Sequence, residues 1–457
     1  MRCLRPIILA AALLTVLCGC ALRAPPSSEE LRDGAMPQGP LPPAFRAGGD
    51  PSQAVNGPWL ASFQEPALTA LVDEALAYNA DLQVAAARVD EASAYVKAAS
   101  AGLLPSVGLA GVGGGKSGGG GGLDGVFLNA SLELDVWGRL RYGSAAAREQ
   151  LAAVQADYAY ARQSLAAMVA KSWFLAVEAG MQRAIAQDAL ESSQTLMRMA
   201  DDRMRIGNGS ALSLAQARAS VGGYQDTLRQ IELSREQALR ALELLVGRYP
   251  AAEIAIADRL APMPAPLPVG VPSELLERRP DVVAAERRVA VAFDRVGEAK
   301  AAQLPRISLT AGASNVSSDL VVLKDVGSPV WSVGANLIAP LYQGGALKAQ
   351  VEIRSAEQKR AVAEYARAAR KALGDVESAL SAESILRERE AILATVIRDN
   401  EEALKLTRIQ YRVGAVDLLS VEQGQLALYS ARTQQLRVRS EQLAQRTNLY
   451  LALGGGV

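Results

Sequence analysis

The chain contains no histidine. That removes His-based catalytic triads, imidazole general bases and most zinc sites together. Cysteine is nearly absent as well: Cys3, Cys18 and Cys20 are the only three. No disulfide can staple the remainder of the chain, so its stability must come from packing and assembly. Basic and acidic residues balance at 48 each, which leaves no long-range attraction for nucleic acid. No paired-carboxylate pattern points to a catalytic pocket, so no enzyme activity, metal site or cofactor is expected. Beyond the N-terminus there is no long uncharged apolar run, so no transmembrane helix is expected. A chain of this kind can cross a bilayer only as a β-barrel.

What is present begins with an export signal. Arg2 and Arg5 precede an apolar stretch from Ile7 to Leu17, too short to span a membrane. It ends in Leu17-Cys18-Gly19-Cys20, small residues before a cysteine, as bacterial lipoprotein processing requires. Residues 1–19 read as a signal peptide, and Cys20 as the first mature residue, carrying lipid on its sulfur. Ala21 follows, and not an Asp that would favour inner-membrane retention, so the outer membrane is the expected destination. Residues 20–60 are low in pattern and read as a lipid-anchored tether.

Comparison of the chain with itself shows a tandem duplication. Asp81 and the segment from Leu82 to Val89 recur as Asp281 and Val282 to Val289. Leu104-Pro105 recurs as Leu304-Pro305, Val136-Trp137-Gly138 answers Leu341 to Gly345, and Arg205-Ile206-Gly207 answers Arg412-Val413-Gly414. Order is kept throughout, and spacing is nearly constant. The repeats are expected at 61–249 and 273–457, joined by a proline-rich linker at 250–272.

Each repeat reads as helix, strand, strand, long helix, return helix. Strands are expected near 104–114 and 125–136, and again near 304–315 and 329–341. In Val126, Leu128, Ala130, Leu132 and Leu134 every second residue is apolar, while Asn129, Ser131, Glu133 and Asp135 alternate with them. This period of two makes one apolar and one polar face, at the roughly ten-residue length of a membrane-crossing strand. Glu133 and Asp135 are expected on the polar, lumen-facing side, with a mild cation preference as the consequence. The glycine-rich stretch from Lys116 to Gly122 and its counterpart from Ser317 to Ser328 read as loops facing outside.

Two proline-free stretches, 139–206 and 345–412, read as long helices. Apolar residues step along them by three and four, through Leu151, Val154, Tyr158, Ala161, Leu165 and Met168 and through Val362, Tyr365, Ala369, Leu373, Val376 and Leu380. This is a coiled-coil seam, and a helix of such length needs partners for it. Gly207 and Gly414 end the rods, and Ser210 and Asp417 are suited to cap return helices at 211–247 and 417–453. The hairpin tips are expected at the end of the rods remote from the strands.

These residues resemble the TolC-like outer-membrane efflux factors in their lipoprotein branch, the NodT- and OprM-like components of tripartite efflux systems. The segments that carry the resemblance are the lipobox cysteine, Leu-Glu-Leu-Asp-Val-Trp-Gly-Arg at 132–139, Glu-Arg-Arg-Pro-Asp-Val at 277–282, Ala-Pro-Leu-Tyr-Gln-Gly-Gly at 339–345 and Gln-Tyr-Arg-Val-Gly at 410–414. The resemblance implies an α+β, mostly α, homotrimer. Four strands per chain would build a twelve-stranded transmembrane β-barrel, continued by an α-helical coiled-coil tunnel in the periplasm. It implies passive conduction of small molecules, with a periplasmic adaptor and an inner-membrane pump of the RND type as partners. It places the adaptor-contacting tip at Gly207, Asn208, Gly209, Ser210, Gly414, Ala415, Val416 and Asp417. Gate candidates are Tyr411, Arg412, Asp417 and Arg203. Some members carry an acid six residues after the tip glycine; here those positions are Ser213 and Ser420, so gate control falls on the other residues. An exit duct for type I protein secretion and a non-channel, envelope-spanning scaffold are the alternative readings.

Overall fold

The computed structural model describes residues 22–36, 41–50, 59–112, 115–116, 120–121, 123–318 and 330–456. The chain divides into two compact units, each drawing on both sequence repeats. Cys20, the expected lipidation site, and most of the second expected loop lie outside the described residues.

The first unit comprises Met1–Gly39, Ala86–Asp157 and Asp281–Ala368. It holds helix α1 (Ser28–Ala35), inside the stretch expected to be a patternless tether. Its helix forms because Ser27 and Glu30 close a reciprocal capping box, and Leu31 and Ala35 are buried. The unit's sheet has strands β1 (Ser106–Val112), β2 (Leu123–Leu134), β3 (Arg306–Ser318) and β4 (Val330–Ile338), antiparallel in the order β1-β2-β3-β4. A two-residue pairing of Gly115–Lys116 with Gly120–Gly121 lies in the first expected loop. Leu104-Pro105 and Leu304-Pro305 fall before the strands. Leu104 and Leu304 still donate to Ala101 and Ala301 carbonyls of the preceding helices, and proline has no N–H for a ladder.

The second unit comprises Pro40–Ala85, Tyr158–Pro280 and Ala369–Val457. Its core gathers Trp59, Phe63, Leu68, Trp173, Phe174, Leu242 and Tyr450, with the Trp59 and Tyr450 rings stacked at 5.3 Å. Helix α2 (Pro66–Tyr78) starts with proline at its first turn, where the missing N–H costs nothing. The return helices are α5 (Ala211–Val246) and α9 (Leu418–Ala452). Buried charges fasten the connecting segments. Arg446 is 1% exposed and holds the Glu383 carboxylate together with the carbonyls of Pro264 and Ala265 in the linker. Glu243 accepts the backbone N–H groups of Ala252, Glu253 and Ile254 at 2.7, 2.7 and 3.2 Å. Arg279, the second arginine of the Arg-Arg-Pro-Asp segment, is equally buried and pairs with Asp375 at 3.0 Å.

The remaining helices are α3 (Ala80–Ala101), α4 (Arg139–Arg205), α6 (Pro272–Arg278), α7 (Pro280–Ala301) and α8 (Ala346–Val413). Helices α4 and α8 contain 67 and 68 residues, each about 100 Å at about 1.5 Å per residue. Of the expected seam, Leu165, Tyr365, Ala369 and Val376 are buried, whereas Met168 is exposed. No described helix is long and apolar enough to cross a membrane.

Candidate functional site

The sheet is the first candidate site. Its register carries the period-two pattern across all four strands. Leu109 pairs with Leu128, which pairs with Ala313, which pairs with Trp331. Ala130, Ala311 and Val333 form the next apolar row, then Leu132, Leu309 and Ala335, then Leu134, Ile307 and Leu337. Opposed residues of an antiparallel sheet share a face, so these rows make one continuous apolar surface. It is open to the surroundings: Trp331 is 75% exposed and Val333 88%. The other face carries Asn129, Ser131, Ser308, Thr310, Ser332 and Asn336. β1 and β4 each have one side without a strand partner among the described residues.

The sheet's acids do not sit as expected. β2 ends at Leu134, so Asp135 lies outside the strand, a correction to the pairing of both acids on its polar face. Asp135 instead accepts the backbone N–H groups of Leu140 and Arg141 at 3.0 and 2.9 Å and pairs with the Arg141 side chain. It caps the first turn of α4, where a carboxylate meets free N–H groups. Glu133 does lie in the strand, and Arg139 clamps it with two bonds of 3.1 and 2.8 Å. Trp137 anchors the same turn by donating to the Pro305 carbonyl at 2.8 Å.

The two hairpin tips are the second candidate site. α4 and α8 end in the same backbone device. Gly207 (φ +77°) and Gly414 (φ +82°) adopt the left-handed conformation that glycine tolerates best. The N–H groups of Asn208 and Ala415 reach back to the carbonyls of Arg203 and Gln410, closing Schellman turns. Gly209 is there for closeness: a Cβ would lie 2.7 Å from the Met204 nitrogen. Ser210 then caps α5 by accepting from the Ser213 N–H at 3.1 Å. Asp417 caps α9, accepting both the N–H and the hydroxyl of Ser420 at 2.9 and 2.7 Å. These bonds hold the Asp417 carboxyl below the usual carboxylate range. Ser213 and Ser420 thus have local roles in place of an acid.

Of the gate candidates, the fold brings Arg203 and Tyr411 together. The Arg203 guanidinium lies 4.1 Å from the Tyr411 ring centroid and donates to the carbonyls of Tyr411 and Arg412 at 2.5 and 3.3 Å. Tyr411 is buried in a cluster with Leu196, Ala200, Leu214, Leu418 and Val421, and Val416 of the tip packs against it. The Arg412 side chain is exposed, and Asp417 takes no part in the Arg203 contact.

The chain matches the protein-family model described as outer membrane efflux protein twice, over residues 71–248 and 271–455, one copy per repeat. It is 32% identical over 423 residues to the pyoverdine export outer membrane protein OpmQ of Pseudomonas putida, covering 87% of this chain and 88% of that one. It is 30% identical over 413 residues to the cation efflux system protein CusC of Escherichia coli, with 88% of each covered. The solved structure of the outer-membrane channel OprN superposes with a TM-score of 0.81 at 27% identity, over 91% of this chain and 97% of that one. The chain belongs to the outer membrane efflux protein family.

Proposed function

We propose that this protein is the outer-membrane channel of a tripartite efflux system, conducting small toxic molecules passively to the exterior. The observation that carries the reading is the four-stranded sheet with an exposed apolar face, a polar face and two unpaired edges. Water cannot satisfy sheet edges inside a bilayer, so the edges must pair with further copies. Three copies would close a twelve-stranded barrel, apolar outside and wet inside. The coiled-coil rods would extend it through the periplasm to a partner adaptor and an inner-membrane pump, which supplies the energy. Relatives are named for exporting pyoverdine and for cation efflux, and this breadth fits a wet duct whose cargo is chosen by the pump.

Lipid on Cys20 anchors the chain in this reading. The Leu22 side chain lies against Gly138, and the Arg23 N–H donates to the Tyr142 hydroxyl at 3.1 Å. These contacts hold the start of the described chain against the turn that follows β2. The tips dock the adaptor, and the Arg203–Tyr411 contact latches the two hairpins of a protomer in the closed state.

The test is reconstitution. The purified protein in planar bilayers is expected to give discrete channels, and deletion of its gene to sensitise cells to a drug and metal panel. Absence of single-channel conductance from correctly assembled protein refutes the reading in favour of a scaffold.

A further inference from the structure

Helix α5 carries two adjacent glycines, Gly222 and Gly223, in the interior of its 36 residues. Glycine is among the least favourable residues at such a position. Both are exposed, and nothing lies within 4 Å of a Cβ built at either. They are therefore not kept for closeness, as Gly209 is. Counted from the tip glycines Gly207 and Gly414, the equivalent residues of the second hairpin are Tyr429 and Ser430, so the duplicated unit folds without such a pair.

The surroundings suit a bend. Along the helix the Gly223 carbonyl is the acceptor for the Thr227 N–H, and it also accepts the Thr227 hydroxyl at 2.8 Å. If the backbone bond opens, the hydroxyl keeps that carbonyl partnered, so a bend leaves it no orphan. On either side of the pair, Val221 and Leu228 are buried in a cluster with Ala186 and Leu190 of α4. Tyr224 meets Tyr429 of α9 edge to face at 5.7 Å, and Gln425 of α9 donates to the Ala189 carbonyl of α4 at 2.8 Å. The three helices are thus held together at this level. Leu214 and Ala217, nearer the tip, belong to the cluster around Tyr411. A space of about 400 Å³, lined by Gly223, Leu419 and Leu426, gives the helix room to move.

We propose that Gly222 and Gly223 form a hinge in α5, on which the tip end of the first hairpin bends when the channel opens. Its purpose rests on the channel reading, but the bend itself is measurable without conductance.

Hydrogen exchange of the full-length protein in detergent tests the bend. The helical acceptors of the Asp226 and Thr227 N–H groups are the Gly222 and Gly223 carbonyls. Relative to intrinsic rates, these two are expected to exchange about tenfold faster than those of Leu228 to Ile231. Gly222→Ala with Gly223→Ala is expected to remove the difference and to raise the melting temperature by about 2–4 °C, because alanine favours the helix and meets open space. In planar bilayers the same double variant is expected to lower open probability several-fold. Thr227→Val, which removes the second donor, should lower it with the melting temperature near wild type. Gly374→Ala, at an exposed interior glycine of α8 with equally open surroundings, should stabilise and leave opening unchanged.

Uniform exchange along α5 overturns the hinge whether or not the protein conducts. So does a double-alanine variant that opens as often as wild type, or an equal loss of opening in Gly374→Ala. A lower melting temperature in the double variant would show that a second chain packs on the glycines, and overturns the hinge as well. Fast exchange at Asp226 and Thr227 in a wild type that never conducts supports the hinge and refutes the channel reading.

Discussion

Arg203, in the last turn of α4, stacks its guanidinium on the ring of Tyr411 and donates to that residue's own carbonyl in the last turn of α8. One side chain thus joins two hairpins that lie 208 residues apart in sequence. The cation meets a π-face and, at a helix C-terminus, carbonyls whose dipoles favour positive charge. If opening separates the hairpins, the contact is lost. A cation–π contact and a hydrogen bond together contribute about 1–3 kcal/mol, a shift of about 5- to 150-fold in a two-state equilibrium. Arg203→Ala is expected to raise open probability in planar bilayers by that order. Tyr411→Phe keeps ring and carbonyl and should stay near wild type. An Arg203→Ala channel as closed as wild type would remove this latch from the gate.

Asp417 separates charge from capping. Its carboxylate accepts two bonds from Ser420, and Asn can accept the backbone one without a charge. Asp417→Ala is expected to loosen the start of α9 and change conductance or drug sensitivity, while Asp417→Asn leaves both near wild type. If the two substitutions change conductance equally, the charge and not the cap is the relevant property. Its lowered pKa puts the stabilising form above the ordinary carboxylate range, so the contribution is lost as pH falls through the folded value.

The clamping of Glu133 by Arg139, and of Asp135 by Arg141, bears on ion selectivity. Each acid already faces its own cation, so three copies would add little net field at the barrel's lower rim. Reversal potentials in a salt gradient are expected near zero for the wild type. Arg139→Gln frees Glu133 and should turn the channel cation-selective. Strong selectivity in the wild type would show that other groups set the lumen field.

Much of this was legible in the sequence, for stated physical reasons. Alternation along β2 marks both faces because strand geometry leaves no other period, and Gly207 and Gly414 mark the tips because few other residues adopt positive φ. Asp135 was misplaced because one residue decides between strand and helix cap, and the pattern does not resolve that boundary. The helix at Ser28–Ala35 was missed although its Ser-x-x-Glu box is written at 27–30; the signal was local and the surrounding stretch patternless. The Arg203–Tyr411 contact could not be read, because nothing in one sequence registers two residues so far apart. The same holds for Gln425 and Ala189.

Arg446 gives a stability prediction. It is buried with Glu383 and fills the carbonyls of Pro264 and Ala265, so it ties α9 to α8 and to the inter-repeat linker. Removing Arg446 leaves Glu383 with only the exposed Arg387 beside it at 3.1 Å and leaves the Pro264 and Ala265 carbonyls without this donor, which costs about 3 kcal/mol. Arg446→Ala is expected to lower the melting temperature of the assembled protein sharply. Glu383→Gln with Arg446→Met removes both charges and should recover most of the loss. A double variant as unstable as Arg446→Ala would mean that the linker contacts, and not the stranded carboxylate, dominate.

Asp294 on α7 predicts the opposite pH trend from Asp417. It is 4% exposed, and burial first, then the nearby Glu149 charge, push its pKa up to about 6. Glu149 is itself paired with Arg287 at 3.2 Å, which leaves Asp294 without that cation's full benefit. A carboxyl that holds its proton more tightly when folded stabilises the fold at acid pH, and loses that contribution as pH rises from about 4 through about 6. The size is about 2–3 kcal/mol for a shift of this order. Asp294→Asn keeps the shape and removes the titration. It is expected to raise the melting temperature at pH 7.5, to leave it unchanged at pH 4, and to flatten the stability profile between those values. A variant less stable than wild type at pH 7.5 would show that the ionised carboxylate makes a favourable contact, and that Asp294 is charged in the folded protein.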